Sequence, residues 1–461
     1  MLLNILHDEQ LGQMSYFLAS PVGGVAIVID PTRDIAPYMR LARAHNVHII
    51  ATLETHIHAD FISGVRELAH RTGATIYLSA QGQYDFPERD KVIPVNAGDR
   101  ILIGSVQLDV LHTPGHTPEH LSLRVSDARL GVPVGVFTGD TLLVGDAARP
   151  DLAQRPPVTD AAQQMYHTMT QFMALPDYLQ IWPGHQTGYT LHQGGCDRTW
   201  SQLPASTLGY EKLTNPALQC PDEAAFTAWL SAAPPRVPRY YATIKALNRN
   251  GAPLLSTFKS PSRSTAHALH QALSSGALVI DARPAAAYAH NHLKGTLHIP
   301  GDSRQFVRWA GEFIHYDKPT FLIADENDTE RLITALRTIG VDYLPNTFSP
   351  DLIPENSASI VPITPLDAEQ MLHDGEAVML DVRERGERAA FSVANTICIP
   401  LTELLEKMDT LPADKPVITL CDEGTRALIA ASLLEKYGHT VMTLMGGIAG
   451  WERADLPVER G

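Results

Sequence analysis

Four apolar runs in the first part of the chain each end in a turn carrying histidine or aspartate. Val47-His48-Ile49-Ile50-Ala51-Thr52-Leu53 leads into Thr55-His56-Ile57-His58-Ala59-Asp60-Phe61, and Leu108-Asp109-Val110-Leu111-His112 into Thr113-Pro114-Gly115-His116. Val134-Gly135-Val136-Phe137-Thr138 leads into Gly139-Asp140, and Leu179-Gln180-Ile181-Trp182 into Pro183-Gly184-His185. Imidazole and carboxylate are common ligands for zinc and iron. In layered α/β folds, ligands and metals gather at strand ends. One such ending is chance, but four in order form a metal-site constellation. A second chemistry stands far downstream, in Cys421-Asp422-Glu423-Gly424-Thr425-Arg426, between the apolar run Val417-Ile418-Thr419-Leu420 and a helical stretch from about Ala427. Successive backbone N–H groups in a strand-to-helix loop form an anion-binding nest. A nest of this kind stabilises a thiolate or persulfide on Cys421 and lowers its pKa.

These residues need strands and helices to hold them. Gly24-Val25-Ala26-Ile27-Val28-Ile29-Asp30 predicts a buried strand bounded by Pro31, and 35–44 a helix. Strands and helices alternate through His185. From 187 to 238 the texture turns loop-like, with a short helix expected over 224–230. Ala233-Pro234-Pro235-Arg236-Val237-Pro238 is a linker signal. The remainder repeats itself. Ala277-Leu278-Val279-Ile280-Asp281-Ala282-Arg283 matches Ala377-Val378-Met379-Leu380-Asp381-Val382-Arg383, and Leu297-His298-Ile299-Pro300 matches Ile397-Cys398-Ile399-Pro400. Two copies of one α/β unit follow. The expected domains are 1–238 with a connecting segment to about 260, then 261–355, then 360–461.

The order of the four strand endings resembles the metallo-β-lactamase superfamily, an αββα sandwich with its metal site at the strand ends. The glyoxalase-II-like branch of that family carries His-x-His-x-Asp-His. Here Phe61 stands in place of the last histidine, and a phenyl ring binds no metal. The resemblance therefore implies one metal, held by His56, His116 and Asp140, rather than a two-zinc hydrolase. Two histidines and a carboxylate with open positions match the non-haem Fe(II) pattern. Thr138-Gly139-Asp140-Thr141-Leu142-Leu143, followed by Gly145-Asp146-Ala147-Ala148-Arg149-Pro150-Asp151, resembles the persulfide dioxygenase branch, which oxidises glutathione persulfide to sulfite. That likeness implies Fe(II), one per chain, with O2 as co-substrate. His58 and Asp60 are expected to orient the ligands by hydrogen bonds. His185 is expected to line the pocket, and Arg149 either to pair with Asp151 or to contact substrate.

The loop from Cys421 to Arg426 resembles the active-site loop of rhodaneses, with Cys first and Arg sixth. Met445-Gly446-Gly447-Ile448-Ala449-Gly450-Trp451 is similar to the rhodanese C-terminal signature. The resemblance makes Cys421 the sulfur carrier and Arg426 a positive charge for an anionic donor such as thiosulfate. Asp422, Glu423, Gly424 and Thr425 form the persulfide-cradling loop. The first copy has Ala324 at the matching place and no Arg at the sixth, so it is expected to be inactive. Cys398, on a core strand, is expected to do no more than pack.

Composition narrows the remaining choices. The chain has 461 residues, 44% hydrophobic and 19% charged, with net charge -15. That balance argues against a nucleic-acid partner. Four scattered cysteines form no disulfide framework, and the start lacks a basic leader region. No run is long enough to span a membrane, so a cytoplasmic protein with no membrane partner is expected. A homo-oligomer, dimer or tetramer, is the expected assembly. The expected function is bifunctional: Fe(II)-dependent oxidation of a low-molecular-weight persulfide to sulfite plus thiol, and sulfane-sulfur transfer through Cys421 involving thiosulfate or sulfite. The alternatives are a glyoxalase II-type thioester hydrolase using zinc, and a sulfur carrier whose metal domain is vestigial.

Overall fold

The computed structural model of the chain describes residues 1–150, 158–186, 203–232 and 236–460. These form two compact units, Met1–Thr257 with Arg337–Gly340, and Phe258–Leu336 with Val341–Gly461.

In the first unit the apolar runs become two six-stranded sheets, each in chain order. The first contains β1 (Leu2–Asp8), β2 (Gln13–Ser20), β3 (Val25–Ile29), β4 (His48–Leu53), β5 (Thr75–Ser79) and β6 (Val92–Val95). The second contains β7 (Arg100–Ile103), β8 (Val106–His112), β9 (Leu121–Asp127), β10 (Pro133–Gly139), β11 (Gln180–Pro183) and β12 (Ser206–Thr207). Strand β2 is buried along its whole length. Its side chains alternate between two cores, as the pleat requires. Met14, Tyr16 and Leu18 meet Leu108, Leu123, Phe137 and Trp182 of the second sheet. Phe17 and Ala19 instead meet side chains of α1 (Ala36–Ala44) and α2 (Val65–Thr72). Its neighbour β3, covered on both faces, shows as the unbroken apolar run Val25-Ala26-Ile27-Val28-Ile29. Beyond the second sheet, α3 (Val158–Met173) and α4 (Glu223–Ser231) set Met165, Met169, Phe172 and Phe226 against Val136 and Ile181. Each such fully buried side chain contributes about 1.5–3 kcal/mol. The four layers are the expected αββα sandwich.

The loops after the strands are stitched across the two sheets. Leu121 N–H donates to Thr55 O at 2.7 Å, and Gly184 N–H to Gly139 O at 2.7 Å. This brings the ends of β4, β10 and β11 beside the start of β9.

The second unit is a structural repeat. The first copy has β13 (Ser262–Arg263), β14 (Leu278–Asp281), β15 (Leu297–His298), β16 (Thr320–Ile323) and β17 (Asn346–Phe348), with helix α5 (Ala285–His290). The second has β18 (Val361–Ile363), β19 (Val378–Asp381), β20 (Phe391–Ser392), β21 (Ile397–Cys398), β22 (Val417–Leu420), β23 (Val441–Leu444) and β24 (Glu459–Arg460), with α6 (Arg385–Ala390) and α7 (Thr425–Lys436). Both five-stranded sheets are parallel and share one strand order, β13-β17-β16-β14-β15 and β18-β23-β22-β19-β21. Asp281 pairs with Ile323 as Asp381 pairs with Leu420. The two copies group in one compact unit rather than two. Among the described residues, no helix is long and apolar enough to cross a membrane.

Candidate functional site

His56, from the loop after β4, His116, from the loop after β8, and Asp140, at the end of β10, converge. Each offers one ligand atom, and these atoms lie within 4.8 Å of one another. Nε2 of His56 and Nε2 of His116 each stand 3.7 Å from Oδ2 of Asp140. The surroundings aim these atoms inward. The Thr55 hydroxyl donates to Asp30 Oδ2 at 2.8 Å and so accepts from His56 Nδ1–H at 2.9 Å. That leaves the lone pair of His56 on Nε2. His116 Nδ1–H donates to Arg149 O at 2.6 Å, with the same result. Fixing the ring tautomer through the far nitrogen is how metal-ligating histidines are held. His185 Nδ1–H donates to Asp140 Oδ1 at 2.7 Å, leaving Oδ2 for the cluster. The donor set and its orientation fit a divalent Zn or Fe ion.

The charges are arranged to match. Burial, followed by neighbouring histidines, holds His56 neutral, well below the usual histidine range. Burial opposes the charge on Asp140, but His185 and His116 overcome it and keep the carboxyl well below its ordinary value. Burial also opposes protonation of His185. Asp140 and Asp60, the latter accepting from Nε2–H at 2.8 Å, raise it well above its ordinary value.

Two positioning residues carry no signal in the sequence. Asp30 ends β3 in a left-handed conformation, φ 48°, uncommon for a non-glycine residue. Besides the Thr55 hydroxyl it accepts from Thr55 N–H at 2.7 Å. His120 is fully buried; its Nε2 accepts from Asp140 N–H at 3.0 Å and its Nδ1–H reaches the hydroxyls of Thr113 and Thr141. Burial, then His116, holds it neutral, down to about 3. Gly139 makes room for it: at φ 50°, a Cβ there would lie 2.4 Å from His120 Nε2.

Two expectations require correction. His58 does not bond a ligand of the cluster; its Nε2 faces Asp30 Oδ1 at 3.1 Å. Burial works against its charge, yet Asp30 pushes it up to about 9. His185 does more than line a pocket, since it links Asp60 to Asp140. Arg149 turns its guanidinium to the carbonyls of Leu230 and Ala232, at 2.8 and 2.9 Å, where they leave α4. Its backbone carbonyl holds His116. Asp151, one of its two expected partners, lies outside the described residues. Asp60 reaches Asp140 only through His185.

In the second unit, Cys421 follows β22 directly and its side chain is buried. Sγ accepts N–H groups from Gly424 at 3.0 Å and Ala427 at 3.4 Å. Gly424 adopts φ 114°, which suits glycine, and caps α7. The nest exists, but it does not lower the thiol pKa as expected. Burial, then the Asp422 carboxylate, pushes Cys421 up to about 11. The Arg426 charge is already answered: its nitrogens meet Glu387 Oε2 and Oε1 at 2.7 Å each and Asp422 Oδ1 at 3.0 Å. Glu423 is exposed, and Thr425 begins α7. At the corresponding place in the first copy Ala324 is buried and brings no nucleophile.

Comparison with known proteins agrees with this geometry. Residues 9–185 match the metallo-beta-lactamase superfamily and residues 364–454 the rhodanese-like domain. The hydroxyacylglutathione hydrolase of Methylobacillus flagellatus is 32% identical over 231 residues, covering 46% of this chain and 85% of that protein. The chain belongs to the metallo-β-lactamase superfamily. A hydroxyacylglutathione hydrolase of Rhodobacter capsulatus is 30% identical over 44% of this chain and 81% of its own length. A solved metallo-beta-lactamase from Staphylococcus aureus is 35% identical with a TM-score of 0.68, covering 76% of this chain and 99% of that one. This superfamily member joins its metal-binding sandwich to a rhodanese domain. Within the sandwich, Phe61 is fully buried, its ring 4.4 Å from that of His58.

Proposed function

We propose that this chain oxidises a low-molecular-weight persulfide to sulfite with O2 at one ferrous ion, and passes sulfane sulfur through Cys421. The observation that carries this reading is Phe61. A second metal needs a donor at that place, and a phenyl ring has none. Asp60 and His185 are meanwhile bonded to each other and, through His185, to Asp140. What remains is His56 Nε2, His116 Nε2 and Asp140 Oδ2, the two-histidine, one-carboxylate set of mononuclear iron oxygenases. Fe(II) would be held there by His56, His116 and Asp140 and would supply the redox chemistry for a reaction between O2 and a persulfide sulfur.

The oxidation balances without an external reductant. RS–SH, O2 and H2O give RSH, HSO3⁻ and H⁺, and the electrons that reduce O2 all come from sulfur. The chain's part is positioning and charge. The Asp30–Thr55 pair and the Arg149 carbonyl hold the two imidazoles in the ligating tautomer. His185, cationic between Asp60 and Asp140, places positive charge beside an anionic persulfide and its sulfite product. In the second unit the Cys421 thiolate attacks the outer sulfur of a donor, breaking that S–S bond and forming Cys–S–S⁻. With thiosulfate as donor the leaving group is sulfite, and the reverse step returns thiosulfate.

The hydroxyacylglutathione hydrolases among its relatives favour a second reading, zinc-dependent hydrolysis of a glutathione thioester. The two part company over oxygen. Under anaerobic conditions the proposed enzyme forms no sulfite from glutathione persulfide and hydrolyses no S-lactoylglutathione. Anaerobic turnover of the thioester at two zinc ions per chain would favour the hydrolase.

A further inference from the structure

The second copy holds a cavity of about 620 Å³ lined by Arg385, Arg388, Ser392, Cys398, Glu459 and Arg460. None of residues 421–426 lines it. Cys398, expected to pack in a core, is half-buried in its wall.

The internal repeat explains this surface. At an offset of one hundred residues, Tyr288, His292 and His298 occupy the places of Arg388, Ser392 and Cys398. The surrounding bonds correspond. Tyr288 donates to Thr296 O at 3.2 Å and Arg388 to Thr396 O at 3.5 Å, while Arg283 and Arg383 donate to the carbonyls of Asn291 and Phe391. In the first copy this face is filled. Tyr288 stacks with His292 and His298, ring centroids 4.1 and 4.6 Å away. Helix α7 of the second copy covers it, Glu435 meeting His292 Nε2 at 2.9 Å and Ser432 accepting from His298 N–H at 3.0 Å. In the second copy the two histidines become a hydroxyl and a thiol, the tyrosine becomes an arginine, and the face is the open cavity.

Its charge selects the occupant. Three guanidinium groups and one carboxylate line it, and of the three only Arg388 lacks a carboxylate partner among the described residues. Arg388 is half-buried. Arg385 and Arg460 pair with Glu403 and Glu452 at 3.3 and 3.1 Å, but both side chains are largely exposed. Exposed pairs of this kind hold weakly, so both arginines remain available. A second helix docking as α7 does on the first copy would bury the Arg388 charge, which is costly. A small dianion neutralises it, and guanidinium pairs with carboxylate in bidentate fashion. The volume lies within the range of small-molecule sites, about 300–1,000 Å³.

We propose that this cavity binds a tripeptide-sized thiol bearing two carboxylates and one ammonium group. The carboxylates lie on the arginines, the ammonium on Glu459 and the sulfur toward Cys398. The choice of a thiol rests on the sulfur-transfer reading above, whereas the site itself rests on the cavity and its charges. Helix α6 carries Arg385 and Arg388 and also Glu387, the partner of Arg426, so the cavity and the Cys421 loop share one element.

The test uses the full chain and S-methylglutathione, which keeps the three charged groups but exchanges no sulfur. The rate of Cys398 alkylation by iodoacetamide is followed peptide by peptide, with Cys421 as internal reference. Millimolar probe is expected to slow Cys398 at least threefold and leave Cys421 unchanged. Arg388→Glu is expected to abolish the protection, and Arg385→Ala, at an exposed position, to weaken it should the first variant fail to fold. Absence of protection, protection indifferent to both variants, or equal protection by sulfate would each overturn the proposal. No oxygen consumption is read, so failure here and failure of the dioxygenase reading are distinguishable.

Discussion

Glu387→Gln tests how the rhodanese domain controls its thiol. Glu387 meets both terminal nitrogens of Arg426 at 2.7 Å, and Asp422 meets one at 3.0 Å. With that guanidinium answered and the sulfur buried, the thiol stands at about 11. At pH 8 this leaves about one thiolate in a thousand. Glutamine keeps the shape of the side chain and an oxygen for Glu384 N–H, but removes the charge. An opposite charge within about 4–6 Å lowers a pKa by about 1–3 units. Arg426 stays partly countered by Asp422, so the expected drop is about 1–1.5 units, and the thiolate population at pH 8 rises about 10–30-fold. The accompanying loss of nucleophilicity, with a Brønsted coefficient of about 0.4–0.5, leaves about a 3–8-fold gain in rate. The assay is peptide-resolved alkylation of Cys421 between pH 7 and 11. A midpoint that stays put or rises in the variant would refute the idea that the Glu387–Arg426 pair sets the reactivity of Cys421.

Further outcomes follow from the same geometry. In the unaltered chain the raised thiol pKa means that the nucleophile appears as pH rises, so sulfur transfer from thiosulfate is expected to climb up to tenfold per pH unit from 7 toward 10. A plateau at neutral pH would contradict it. Thr55→Val leaves Asp30 Oδ2 and His56 Nδ1 without their bridge and is expected to cost about 10–100-fold in metal affinity, read by competition with a chelator. Phe61→His restores a donor at the second position. It is expected to raise bound zinc from about one to about two per chain, at a stability cost of about 2–5 kcal/mol for the lost aromatic packing, measured by denaturant titration.

The four strand endings were legible because each apolar run stops where its histidine or aspartate begins, so the convergence of His56, His116 and Asp140 was visible as a pattern. Asp30 and His120 were not legible. Each lies away from the motif it serves, Asp30 25 positions before Thr55 and His120 20 before Asp140, and neither has a characteristic spacing. The repeat was plain in the sequence, since Asp281 and Asp381 begin matching strand ends. The pKa of Cys421 was misjudged because the nest was visible locally, while Glu387, 39 residues before its partner Arg426, and the depth of burial were not. The contacts of Arg149 to carbonyls 81 and 83 residues away were not legible either. Cys398 looked like core because the strand before it is apolar, and only the missing cover over its face exposes it.

The most direct test of the central claim is the consumption of dissolved oxygen by anaerobically Fe(II)-loaded protein on addition of glutathione persulfide, with sulfite trapped and counted. The account predicts rapid uptake, one sulfite per O2, lost in His116→Ala. Full iron occupancy with no oxygen uptake, or uptake unchanged in that variant, would contradict it.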